Sequence, residues 1–318
     1  MHDFRRLPGE VAGHESPGLR FEIKRARYRR QIAIDLHESL AVEPPRFNLV
    51  TSILEEPEEV AGEILSSLGI RAEDRAKWKT EYDAFAVWRG AIEGQGVLVF
   101  QAKEVDLSEM RGFSISELPL PVITVNIKDA VVGRIFTTLH ELCHLMLREG
   151  GVCDLTEAPP RNPAEQSVEI FCNAVAGAAI VPEKDVLAEP LVKEHGRSPE
   201  WSDSEISSLA RCFWSSRETV VRRLLTLGRT NETFYRRKRE QYQREYETRE
   251  TPAGGFAPPY IMALTTAGNL FTRLVLENYY RENITSGDLA EFLDVRLKHL
   301  PRIEQMMLGR PVAIGEVG

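Results

Sequence analysis

The chain has 318 residues, 42% hydrophobic and 28% charged, an ordinary balance for a globular protein of about two domains. Its net charge of −8 excludes the strongly basic balance of a chain devoted to nucleic acid or membrane surfaces. The four cysteines form no C-x-x-C pair, "MHDFRRLPGEVAGHESPGL" has no apolar signal core, and nothing is apolar enough to span a bilayer, so reduced thiols and a cytoplasmic location are expected.

Residues 1–18 are polar, with Pro and Gly, and read as a mobile lead. "LRFEIKRARYRRQIAIDLHESL" reads as a basic helix stopped by "EPP", its arginines forming a solvated face. "EPEEVAGEILSSLGI" has acidic residues in its first turn and ends at Gly69, a helix signature. "RAEDRAKWKTEYDAFAVWRGAIEGQG" continues in helical style to Gly94 and Gly96. The character then changes. "GVLVFQA", "GFSIS" and "PVITVNI" are short, rich in Val, Ile and Phe, and punctuated by Gly, Pro and Ser, which predicts three strands. The helix "RIFTTLHELCHLML" follows, then a loop, then a second helix, "AEQSVEIFCNAVAGAAIV", stopped by Pro182. Beyond about residue 200 the pattern is helical. "WSDSEISSLARCFWSSRETVVRRLLTLG" reads as helix, short turn, helix, with Ser215 or Ser216 as the second N-cap. "ETFYRRKREQYQREYETRE" is a helix of mixed charge, with Tyr235, Tyr242 and Tyr246 as packing residues. "TPAGGFAPP" is a linker, and two or three more helices follow, one capped at Ser286 or Asp288.

The chemistry concentrates in the helix of residues 134–147. At about 100° per residue, His144 lies only about 40° from His140, so the two imidazoles share a face. Ile135, Phe136, Leu139, Leu142, Cys143, Met146 and Leu147 form an apolar stripe on one side; Arg134, Thr137, Glu141 and Arg148 form a polar side. The histidines sit at the seam, held from behind and open in front. Two histidines at i and i+4 can bind one zinc ion, and the intervening Glu141 is placed beside the metal as a general base, the H-E-x-x-H pattern. Cys143 falls in the apolar stripe and reads as a core thiol.

A catalytic zinc takes a third protein ligand and keeps one open position. On the second helix, Glu169 and Asn173 occupy a matching seam, with Val168, Phe171, Cys172, Val175, Ala176 and Ala179 as the apolar side. Glu165, one turn back, is the fallback, and Asp154 and Glu157 in the loop are weaker candidates. The run "RGFSI … PVITVN … RIFTTLHELCHLML … EIFCNAVAGAAIVP" resembles the ImmA/IrrE family of metallopeptidases, through Phe136, Thr137, His140, Glu141, His144, Glu169, Asn173 and Pro182.

The resemblance implies a zincin-like α+β core with a small antiparallel or mixed sheet, followed by a mostly helical C-terminal region with a helix-turn-helix-like pair. It implies Glu169, not Glu165, as the third ligand; Asn173 is a candidate either to steady a ligand or simply to pack. It implies an intracellular zinc endopeptidase that cuts a repressor protein to switch on stress-response or mobile-element genes; manganese is the alternative metal. The organisation expected is a lead and basic helix (1–55), the peptidase core (56–182), the helix-turn-helix-like segment (183–230) and a helical region (231–318). The segment before residue 56 reads as too short and too basic for the five-helix repressor module that many members carry. In the helix pair, Arg217, Arg222 and Arg223 are the candidates for DNA phosphate, against packing on the peptidase. The competing functions are a DNA-binding regulator, or a non-cleaving anti-repressor or antitoxin, that retains the fold. A strand before the histidine helix, at Pro121–Ile127, is a candidate to pair with an extended substrate.

Overall fold

A computed structural model describes residues 16–148, 163–248 and 257–308. The lead at 1–15, the loop with Cys153, Asp154 and Glu157, the linker at 251–256, and the side chains of Glu165 and Tyr246 lie outside the described residues.

Helix α1 (Pro17–Ser39) starts where Ser16 Oγ accepts from Leu19 N at 3.1 Å, with Pro17 in the first turn. Its arginines form the expected solvated face only in part: Arg20 and Arg27 are exposed, whereas Arg29 and Arg30 turn inward. Arg29 is buried, donates to Thr266 O at 3.2 Å and lies over the rings of Phe100 and Phe271. Arg30 donates to the carbonyls of Glu117, Pro119 and Leu120 at 3.0, 2.9 and 3.1 Å. Glu22 Oε1 accepts from the backbone of Lys103 and Glu104 at 2.9 and 3.0 Å. The physical reason is that loop carbonyls and amides need partners once covered, and α1 covers them.

Helices α2 (Pro57–Ser67), α3 (Ala72–Arg75) and α4 (Glu81–Gly94) follow. The helical run expected from residue 71 breaks before α4, because Thr80 and Asp83 form a capping box that starts a new helix. Strands β1 (Leu98–Ala102), β2 (Gly112–Ile115) and β3 (Val122–Asn126) lie within the three predicted segments. Then come α5 (Val131–Leu147), α6 (Pro163–Ile180) and two short helices the sequence pattern did not announce, α7 (Glu183–Ala188) and α8 (Pro190–Glu194). The pair α9 (Asp203–Cys212) and α10 (Arg217–Thr226) is joined by a short turn, with Ser216 as the cap of α10. The chain continues through α11 (Glu232–Thr248), α12 (Pro259–Ala267), α13 (Asn269–Tyr280), α14 (Ser286–Phe292), a 3-10 turn (Leu297–His299) and α15 (Leu300–Leu308). The cap of α14 is Thr285, with Asp288 as its reciprocal partner, not Ser286 or Asp288. No helix among the described residues is long and apolar enough to cross a membrane.

The architecture is α+β, mostly helical, around a mixed sheet of order β1-β3-β2, with β1 parallel and β2 antiparallel to β3. β3 is therefore the central strand and has no free edge, which corrects Pro121–Ile127 as a substrate-pairing strand. The outer edge of β2 is the one beside α5.

Alternation along the strands builds two apolar clusters, one on each face of the sheet. Val99, Ile123 and Val125 join α2, α4, α5, α6, α9 and α10. Leu98, Phe100, Phe113, Ile115 and Val122 join α1, α12, α13, α14 and α15. The first and last parts of the chain thus close the face of the sheet opposite α5.

His37, near the C-terminal end of α1, is buried in this second layer. Burial lowers its pKa below the ordinary value of 6.5, outweighing the opposing effects of the Val42 backbone and the Glu277 charge. A histidine kept neutral by the fold contributes stability that is present above its unfolded pKa and lost as pH falls from about 6.5 towards the lower folded value. Thermal unfolding at pH 8 and pH 5.5 should therefore show a smaller acid-induced drop in Tm for His37→Gln than for wild type. An identical drop in both would remove His37 from the account.

Candidate metal centre

α5 is the axis of the molecule. It packs on α4, α6, β2 and β3. The apolar stripe expected from its sequence is buried, with Ile135, Leu139, Leu142, Cys143 and Met146 at 0% exposure and Phe136 at the margin. Most of the polar side is buried too, contrary to the open seam: Thr137, His140 and Glu141 are at 0% and Arg134 at 6%, while Arg148 at the end of the helix is exposed. The reason is β2 and β3, which cover that side. Arg134 is accommodated because its Nη1 donates to Gln101 Oε1 at 2.7 Å and its guanidinium lies over the rings of Tyr82 and Phe85. Access to the seam remains at His144 and Glu169, whose side chains keep 13% and 14% exposure.

Glu169 arrives from α6, which packs along α5 and buries Val168, Phe171, Cys172, Val175, Ala176 and Ala179 as its pattern predicts. Two buried arginines hold the far end of this helix. Arg75 of α3 donates to the carbonyls of Ala179 and Ile180 at 3.3 and 2.9 Å, and Arg223 of α10 donates to Val181 O at 2.9 Å while pairing with Glu58. Carbonyls at a helix C-terminus have no partner within the helix, so cations there fix its position.

The result is a compact donor triangle. His140 Nε2 and His144 Nε2 are 3.2 Å apart, His144 Nε2 and Glu169 Oε1 3.4 Å, and His140 Nε2 and Glu169 Oε2 3.6 Å. Bonds of about 2.0–2.1 Å to a tetrahedral zinc ion put neighbouring donors about 3.3 Å apart. Two imidazoles and one carboxylate are also a donor set suited to that ion. The residues therefore fit a divalent metal, and they are the one His/Cys/Asp/Glu group among the described residues with metal-holding spacing. Asn173 is half-buried on α6, one turn after Glu169. Cys143 and Cys172 are buried thiols outside the cluster.

The three arginines considered for DNA phosphate are engaged within the protein. Arg223 is buried as described. Arg217 pairs with Glu245 and lies over the Tyr242 ring at 4.4 Å. Arg222 donates to Tyr235 Oη at 2.8 and 3.2 Å. On α11, Arg236, Arg237 and Arg239 pair with Glu232, Glu200 and Glu218. These contacts favour packing over phosphate binding for this helix pair.

One residue at the site went unremarked in the sequence: Ser114, whose Oγ donates to Glu141 Oε2 at 2.8 Å. The signal was present. Alternation in "GFSI" sets Gly112 and Ser114 opposite Phe113 and Ile115, so the small residues face whatever carries the chemistry.

No curated protein and no solved structure matches the chain. Residues 92–225 match the family model Peptidase_M78, described as the IrrE N-terminal-like domain. That span runs from the end of α4 into α10 and contains the sheet, both helices of the donor triangle and the helix pair. The part of the chain that carries the triangle is therefore similar to the IrrE N-terminal-like domain, consistent with the ImmA/IrrE peptidase family.

Proposed function

We propose that the protein is a zinc-dependent endopeptidase of the ImmA/IrrE type that cuts a peptide bond in a regulatory protein, a helix-turn-helix repressor, and so switches on stress-response or mobile-element genes. The observation that carries this reading is a donor triangle of zinc dimensions next to a buried carboxylate, Glu141, that is not part of it. His140, His144 and Glu169 would hold the metal. A bound zinc ion supplies Lewis acidity, making a water acidic and polarising a peptide carbonyl. Manganese suits the same donors and is the alternative. Glu141 takes the proton of the attacking water and returns it to the leaving nitrogen.

The sheet supports a way to hold an extended substrate. Asn126 N donates to Arg111 O at 2.8 Å, so Arg111 and Asn126 form a hydrogen-bonded pair. Such pairs alternate in an antiparallel ladder, so Gly112 opposite Val125 and Ser114 opposite Ile123 turn their backbone N–H and C=O groups away from β3. Among the described residues no strand pairs with that outer edge. A peptide added there would run alongside Glu141.

The test compares zinc-loaded wild type with Glu141→Gln. Each is incubated with cell extract, and new protein N-termini are mapped by mass spectrometry. Wild type should generate a new terminus in a repressor, and Glu141→Gln should cut the same bond slower by about a hundred- to ten-thousandfold while binding zinc as before. Cleavage that survives in Glu141→Gln, or no new terminus at all, would sink the peptidase reading.

A further inference from the structure

β2 does more than close the sheet beside α5. Its small residues bring the strand backbone down onto the helix: a Cβ at Gly112 would meet Thr137 Cγ2 at 2.4 Å and Thr124 O at 3.1 Å, and would stand 3.5 Å from Glu141 Oε1. Two residues along, Ser114 reaches the same carboxylate through its hydroxyl, at 2.8 Å, with both side chains buried. The opposite face of β2 is locked by Phe113 and Ile115, at 0% and 1% exposure, in the apolar layer with α1 and α13. A one-residue slip of the strand would put those rings and branches against Glu141, so the register that seats Ser114 is strongly specified.

We propose that Ser114 is a positioning residue: its hydroxyl, fixed by the register of β2, holds one oxygen of Glu141 so that the other is presented for proton transfer. The inference rests on the peptidase reading above. A glutamate side chain has three rotatable bonds, and a base works only within hydrogen-bond reach of the proton it takes. An O–H donor on Oε2 removes that freedom without occupying Oε1. The same residue also turns its backbone groups to the outer edge of β2. Base orientation and substrate register are thereby set by one position on one strand.

Two readouts test this. The first needs no substrate: crystals of zinc-loaded wild type, Ser114→Ala and Ser114→Thr. The Glu141 carboxylate should hold one position in wild type and Ser114→Thr, and should be displaced or split between rotamers in Ser114→Ala. One unchanged position in Ser114→Ala overturns the proposal. The second uses a synthetic peptide spanning the bond that wild type cuts. Loss of a hydrogen bond to a charged group should lower kcat of Ser114→Ala by about ten- to a hundredfold, with KM and zinc affinity unchanged and kcat largely restored in Ser114→Thr. Wild-type kcat in Ser114→Ala, or a loss lying wholly in KM or in zinc affinity, also overturns it. Should Ser114→Ala fail to fold, Ser114→Cys, of similar size but a weak donor, takes its place in both measurements. If wild type cuts nothing, the peptidase reading falls by itself, and the crystals still decide whether Ser114 holds Glu141.

Discussion

Glu169→Ala should lose zinc affinity by about a thousandfold or more, because it removes one of three protein donors, and even loss of a partner outside the donor set typically costs about 10–100-fold. The measurement is competition for zinc against a chromophoric chelator. Glu169 Oε1 and Oε2 stand 3.4 and 3.6 Å from the two imidazole nitrogens, and no other acid among the described residues shares that spacing. Glu165→Ala, one turn earlier on α6, is the control and should bind zinc as wild type does. A reversed result would move the third ligand to Glu165; no change in either would mean that the ion is held elsewhere. The assignment is separable from catalysis, since Glu141→Gln should keep zinc and lose turnover. Glu169→Ala should lose both, and excess zinc should restore part of its activity.

The donor triangle was legible because its parts are local. His140, Glu141 and His144 are fixed relative to one another by helix geometry alone, and the seam on α6 that carries Glu169 follows from its own apolar stripe. The strands were legible from β-branched runs between turn residues. Contacts across the sheet were not. The polar side of α5 reads as open because charge and hydroxyl groups mark it, yet Gly112 and Ser114 let β2 settle against it. The arginines of α1 read as solvated for the same reason, yet Arg29 and Arg30 complete the hydrogen bonds of carbonyls in segments some 90 and 240 residues away. In both cases a polar side chain meets a polar partner inside the protein, and a pattern that separates apolar from polar residues cannot distinguish that from water. The arginines of α10 follow the same logic: in the sequence Arg223 is a candidate for either phosphate contact or packing on the peptidase, and in the fold it is a clamp at the end of α6.

The joint between α12 and α13 is where the C-terminal helices meet the sheet, and Gly268→Ala should break it. Gly268 has φ 83° and ψ 163°, a region open essentially to glycine alone. A Cβ there would lie 2.4 Å from Glu93 Oε1, 2.6 Å from Arg89 Nη2 and 2.8 Å from Val99 O. None of these can withdraw cheaply. Arg89 ties α4 to the Val99 carbonyl of β1 and donates to Thr265 O at 2.8 Å, and Glu93 accepts from the backbone at Asn269 and Leu270. Burial raises the pKa of Glu93, against the charge of Arg89 and those two backbone donors, so separating the partners leaves a desolvated group behind. Backbone strain and overpacking together should cost roughly 3–5 kcal/mol. That corresponds to a fall in Tm of about 4–8 °C for a chain of this size, by calorimetry. Gly62→Ala supplies the contrast: Gly62 is an exposed position inside α2 with nothing within 4 Å of a Cβ, and alanine there should stabilise by about 0.5–1 kcal/mol. Equal Tm values for the two variants would mean that the C-terminal helices do not depend on this close approach. A selective loss at Gly268 would identify the joint as the point where the second layer is locked onto the sheet. Through Phe113 and Ile115 of β2, the same layer fixes the strand that faces Glu141.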